Sequence, residues 1–251
     1  MHSRLRAIVA RLETLRRDYE RAHDSRAVFA LIYAIMTVEL DRQLDGMDLL
    51  DPGWIVELAE VFANRYFAAV EAIDAGRYPG PAWKAVFDAL EAPSSVLEDA
   101  VFPMVAHIVH DLPLALLDVG FDQPTQTSRL HDFDQVNRVM ERAIDVVRRR
   151  VTTRYSPALR FLDRMERRYD LVLSGYGIRM SRAQAWYDAL RLRDPSVADA
   201  ARQRLEMSPA ELIDCVRDAP GTVTGALFAM LRRMAAPLRR WPTSPVDLAA
   251  I

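Results

Sequence analysis

Apolar residues recur along the chain at spacings of three and four, and no stretch alternates as a half-buried strand would, so the sequence predicts helices throughout. Leu5, Ile8, Val9, Leu12, Leu15 and Tyr19 form the first stripe. Ser25 then supplies a candidate N-cap for a second helix, where Val28, Leu31, Ile32, Ile35 and Met36 predict deeper burial. Gly46 and Asp51-Pro-Gly53 break the chain before a third helix carrying Leu58, Val61, Phe62, Tyr66, Val70 and Ile73, which ends near Gly76. Pro79-Gly-Pro81 opens a short fourth with Trp83, Val86, Phe87 and Leu90, and Pro93-Ser-Ser95 opens a fifth.

The fifth helix contains Pro103 and Pro113, each of which removes a backbone donor and predicts a kink. Residues 120–131 are polar and predict a loop, one use of which is a lid over a pocket; a helix capped by Asp132, with Gln135 at the capping-box position, follows. Ser156-Pro157, Asp194-Pro195 and Ser208-Pro-Ala-Glu211 each predict a further helix start. With no long linker and no internal repeat, the expectation is one all-α domain over residues 1–251, a bundle of roughly nine to eleven helices with an irregular tail at 241–251.

Composition narrows the chemistry. A hydrophobic share of 51 % is enough for a substantial core, and a formal charge of −2 gives no basic stripe for nucleic acid. The clusters Arg148-Arg-Arg150 and Arg239-Arg240 read as solvated helix ends. Cys215 is the only cysteine, which excludes an intramolecular disulfide and a multi-cysteine metal site and fits a reducing cytoplasm. No run reaches about 18 continuous apolar residues and the first residues lack a signal-peptide pattern, so no membrane insertion is expected. Lys84 is the only lysine and lies on what reads as a surface helix, which disfavours Schiff-base catalysis. No Gly-x-Gly-x-x-Gly, P-loop or Gly-x-Ser-x-Gly pattern occurs, so nothing points to a nucleotide or flavin cofactor.

Two imidazoles and a carboxylate stand inside the apolar run Val105-Ala-His-Ile-Val-His-Asp-Leu112. A buried unpaired polar group costs about 1–3 kcal/mol, so these side chains require partners or a use. His107 and Asp111 are four apart and share a helical face, which allows an Asp-oriented imidazole to act as acid or base, while His110 is expected to face solvent. A metal variant takes His107 and Asp111 with a third ligand from Asp132, Asp134 or Glu39. Arg65, either snorkelling or buried beside Tyr66, is a candidate partner for Asp111 or Glu39.

Val61-Phe-Ala-Asn-Arg-Tyr66, Ala82-Trp83 with Phe87, Ala106-His-Ile108 with Asp111-Leu112, Asp132-Phe133 with Asn137, and Arg182 with Ala185-Trp186 together resemble domain-of-unknown-function family 5995, common in actinobacteria. The family's histidine helix reads Asn-Ala-His-Ile-Asn-x-Asp-Leu, so two amides are replaced by Val105 and Val109 in this chain. The resemblance implies an interior cluster of His107, Asp111, Arg65, Asp132, Asn137, Arg182 and Trp186.

The expected function is a cofactor-independent enzyme that cyclises, isomerises or eliminates a largely apolar polyketide- or terpenoid-like molecule. His107 moves the proton, Asp111 orients it, Arg65 or Arg182 holds an oxygen, and Trp83, Trp186, Phe62 and Phe87 form an apolar wall. The alternatives are a metal-assisted hydrolase built on His107, Asp111 and Asp132, and a non-catalytic small-molecule-binding protein.

Overall fold

The structure, a computed structural model, describes residues 1–122, 124–156, 175–217, 232–233, 239–242, 244, 246 and 248. The expected boundary at Pro157 and Gln123 of the polar loop lie outside them. Eight helices and no strand are found among the described residues: α1 His2–Ala22, α2 Arg26–Gln43, α3 Pro52–Asp74, α4 Pro81–Glu91, α5 Val96–Val119, α6 Gln126–Tyr155, α7 Gly175–Arg193 and α8 Ala198–Arg217. The chain is all-α, as its periodicity predicts.

α1 ends at His23, which takes the left-handed conformation at φ 57° while the Asp24 N–H reaches back to the Tyr19 carbonyl at 2.8 Å. The chain thereby reverses within three residues and lays α2 along α1. α2 is apolar on nearly every side, with 11 of its 18 residues buried, and it packs on α1, α6 and the first half of α5. The second half of α5 packs on α3 and α7, and α4 packs on α8. One continuous cluster of buried apolar side chains runs through α1 to α7 and reaches Ile213 of α8.

Arg16 is fully buried and was not singled out by the sequence. Its guanidinium donates to Glu13 at 2.8 and 2.9 Å and to Glu20 at 2.5 Å, and Glu20 also accepts from Arg154 and from the Tyr155 hydroxyl at 2.7 Å. Every charge in this group has a partner, so α6 is fixed to α1 by a network that tolerates burial; removing one member would leave a buried charge, at about 3–5 kcal/mol.

Several local expectations are corrected. α6 begins at Gln126 with Thr125 as N-cap, so the expected lid shrinks to a short turn and Asp132 is not a cap. The Asp132 carboxylate instead accepts the backbone N–H groups of Leu50 and Asp51, both at 2.7 Å, and ties the α2–α3 connection to α6. Ser208-Pro209 lies inside α8: the Ser208 hydroxyl donates to the Arg204 carbonyl at 2.8 Å, and the helix continues through the proline. Arg239 is no solvated helix end, because it bonds the Ser94 carbonyl at 2.9 Å and pairs with buried Asp99. α5, at 24 residues, is long and apolar enough by length and composition to cross a membrane, although polar residues interrupt it; 67 % of its most apolar window is buried in this fold, where it is a core helix.

Candidate functional site

α5 starts after Ser95, where the sequence predicts a helix to open; Ser95 and Glu98 form a reciprocal capping box that was not foreseen, and the α-helix runs to Ala106. His107–Asp111 then form a π-helical turn in which the Leu112 N–H bonds the His107 carbonyl, before α-helix resumes over Leu112–Val119. Pro113 supplies the cause. It has no N–H and its ring crowds the carbonyl four residues back, and widening the preceding turn relieves both faults.

The wide turn places three donors around one carboxylate. Asp111 Oδ2 accepts from His107 Nδ1 at 2.9 Å and from the Trp83 indole N–H at 3.0 Å, and Oδ1 lies 2.8 Å from His110 Nδ1. His107 and Asp111 are 3 % and 2 % exposed. Burial alone would raise the Asp111 carboxyl, but the hydrogen bonds from His107 and His110 outweigh it and hold the group below its ordinary value. Burial lowers the His107 imidazole, with Asp111 only partly opposing. Neutral His107 facing an ionised Asp111 carries its proton on Nδ1, which leaves the lone pair on Nε2. That Nε2 is buried and has no hydrogen-bond partner.

Aromatic rings enclose the imidazole. Phe62 stacks on it at 3.5 Å and 6°, and Tyr33, Phe29, Tyr66 and Trp83 approach with centroids at 4.9, 5.9, 5.9 and 6.2 Å. Phe87 stacks on Trp83 at 5.6 Å. Burial and the nearby Asp111 charge push the Tyr33 hydroxyl well above its ordinary value, so it stays protonated.

Phe62 and Tyr33 also line a pocket of about 80 Å³, whose wall includes Thr37, Leu40, Leu58, Leu112, Met140 and Arg182 but not His107. Phe62 therefore stands between the pocket and the imidazole. Arg182, 8 % exposed, donates from Nε to Asn137 Oδ1 at 2.6 Å and from Nη2 to the Phe133 carbonyl at 3.1 Å, with its cation 4.1 Å from the Phe133 ring centroid.

The structure thus divides the residues expected to form one cluster. His107, Asp111, Trp83, Phe62 and Phe87 come together, and Asn137 and Arg182 form a second group that shares the pocket with Phe62. Trp186 packs among Trp54, Phe121 and Phe133. Arg65 pairs with Asp118 at 2.5 Å, not with Asp111 or Glu39, and Glu39 is engaged by Gln43. Asp132 spends both oxygens on the 50–51 backbone and cannot join His107 and Asp111 as a ligand, and Asp134 is bonded by Asn137 at 3.3 Å. Among the described residues no three His, Cys, Asp or Glu side chains are grouped to hold a metal.

Sequence reasoning missed Tyr33, Tyr66 and Phe29 as walls of the cage, although Phe29–Tyr33 and Phe62–Tyr66 have the i, i+4 spacing that puts rings on one face. It also missed His110 as a donor to Asp111, because straight-helix geometry turns adjacent residues about 100° apart and the π-turn changes that angle.

No curated protein and no solved structure matches the chain. A family model described as a family of unknown function (DUF5995) matches residues 5–219, most of the chain and every segment named above, and the chain belongs to that family.

Proposed function

We propose that the protein is a cofactor-independent acid–base catalyst of a small, largely apolar molecule, with His107 Nε2 as the base. The observation that carries this is the setting of that atom: it is buried and without a hydrogen-bond partner, on a ring whose other nitrogen is anchored by Asp111, and burial disfavours the charged imidazole. Nε2 takes a proton from a carbon beside a carbonyl, and Asp111 balances the imidazolium that forms. Returning the same proton to another atom of the molecule completes an isomerisation or ring closure; in an elimination it leaves with the departing group. Trp83 and His110 keep the carboxylate in place, and Phe62 has to swing aside for substrate to pass from the pocket to the ring.

The test needs no known substrate. Apolar ketones and aldehydes are incubated with the protein in heavy water and deuterium gain is followed by mass spectrometry. His107→Phe, which keeps a ring in the aromatic cage, should exchange about 10²–10⁴-fold more slowly than the wild type while retaining its helicity. Equal exchange by both proteins refutes the proposal.

Binding without turnover is favoured by one observation, the Phe62 ring lying flat on His107 and closing it from the pocket. On that alternative His107→Phe leaves ligand affinity unchanged and alters only stability.

A further inference from the structure

Among the described residues, Arg182 is the one cation lining the 80 Å³ pocket. Its hydrogen bonds go to an amide oxygen and a backbone carbonyl, both neutral, and among the described residues it forms no ion pair. One carboxylate, the exposed Asp134, acts on the Arg182 charge through space; its hydrogen bond is with Asn137, and it forms no ion pair with Arg182. A buried guanidinium without a counter-charge is costly, and its Nη1 donors make no bond to the protein among the described residues. Burial pushes Arg182 down to about 10, so it remains charged at neutral pH. Of the other polar side chains in the wall, Tyr33 and Thr37, neither carries a charge, and the Thr37 hydroxyl is already committed to the Tyr33 carbonyl at 2.9 Å.

We propose that this pocket binds a small apolar monocarboxylate, with the Arg182 guanidinium holding the carboxylate and Leu40, Leu58 and Met140 surrounding the chain. The charge count selects the class. One cation matches one negative charge, whereas a phosphate monoester carries about −1.5 to −2 at neutral pH and would stay half-neutralised. The volume selects the size: 80 Å³ is roughly half of the ~150 Å³ cavity that accommodates benzene, which fits a chain of a few carbons. Longer acids require the flexible side chains of Met36 and Met140 to move. This deepens the acid–base proposal, because it makes the molecule presented to His107 an apolar acid, but binding to Arg182 does not depend on proton transfer.

Propanoate, propan-1-ol and propanamide are titrated into the full-length protein by isothermal calorimetry. The acid should bind about tenfold or more tightly than either neutral analogue. Arg182→Met should abolish that preference, and Ala59→Leu, which fills the pocket and leaves the guanidinium in place, should weaken all three. Equal binding of acid and alcohol, no binding of the acid, or a preference that survives in Arg182→Met overturns the proposal. Should Arg182→Met fail to fold, the wild-type comparison and Ala59→Leu decide. His107→Phe separates the two proposals: propanoate binding retained with exchange lost supports both, propanoate binding retained with exchange undiminished overturns only the catalytic one, and exchange lost in a protein that never preferred the acid overturns only this one.

Discussion

Replacing Trp83 by Phe removes one hydrogen bond from the centre of the molecule while leaving a ring in the aromatic cage. The indole N–H donates to Asp111 Oδ2 at 3.0 Å, and both residues are 2 % exposed. A hydrogen bond to a charged acceptor contributes about 1.5–3 kcal/mol. The smaller ring also leaves roughly 35 Å³ unfilled, which adds about 0.8 kcal/mol at about 24 cal/mol per Å³. The expected cost is therefore about 2.5–4 kcal/mol, or a melting temperature lower by about 5–15 °C at about 2–4 °C per kcal/mol for a chain of this size. Urea unfolding followed by circular dichroism measures it. The sign with pH is fixed by Asp111: its folded-state value is depressed, so the stability it contributes is present above the unfolded value of about 3.9 and is lost as pH falls through the lower folded value. The gap between wild type and Trp83→Phe should accordingly narrow in strong acid. A cost below about 1 kcal/mol at neutral pH, or a gap that does not change with acid, would mean that the indole does not hold an ionised Asp111.

Two further outcomes follow from the same geometry. Phe62→Ala should open His107 to the pocket, so that diethyl pyrocarbonate, mapped by peptide mass spectrometry, modifies His107 in the variant and spares it in the wild type; protection of His107 in both would show that Phe62 is not the barrier. Asp99 is pushed up to about 7, chiefly by burial and against the pull of Arg239 and Ser94, so the folded state binds a proton that the unfolded state has released between about pH 4 and 7. Stability should fall across that window as pH rises, and Asp99→Asn should flatten the fall; an unchanged slope in urea titrations would remove Asp99 as its source.

The elements whose signals are local were legible. The buried character of α2, the helix opening after Pro93-Ser-Ser95, the helix starting at Pro81 and the four-residue spacing of His107 and Asp111 all follow from neighbours in sequence. What failed depended on distant partners. Asp132 with Gln135 has the pattern of a cap, but the carboxylate is taken by backbone N–H groups about eighty residues away, which no local pattern records. Ser208-Pro-Ala-Glu211 has the same pattern, yet the hydroxyl turns back onto its own helix. Arg182 was visible as a candidate, whereas its want of a counter-ion became visible only once α6 and α7 were side by side.

The π-turn in α5 has a consequence for how this chain tolerates change in length. A π-helical turn holds one residue more than the α-helical turn it replaces, so the two halves of α5 differ in phase by about 100°. The leading half, with Val101, Phe102 and Ala106 buried, packs on α2 and α4, and the trailing half, with Leu112, Ala115 and Leu116 buried, packs on α3 and α7. Deleting Val109 alone would take the extra residue out of the turn, set the Pro113 ring against the carbonyl four residues back, and rotate every trailing side chain off its seat. Trimming the half-buried Val109 to alanine is a small matter; losing one position in the count would unseat a third of the helix, so a substitution at Val109 is far cheaper than an indel.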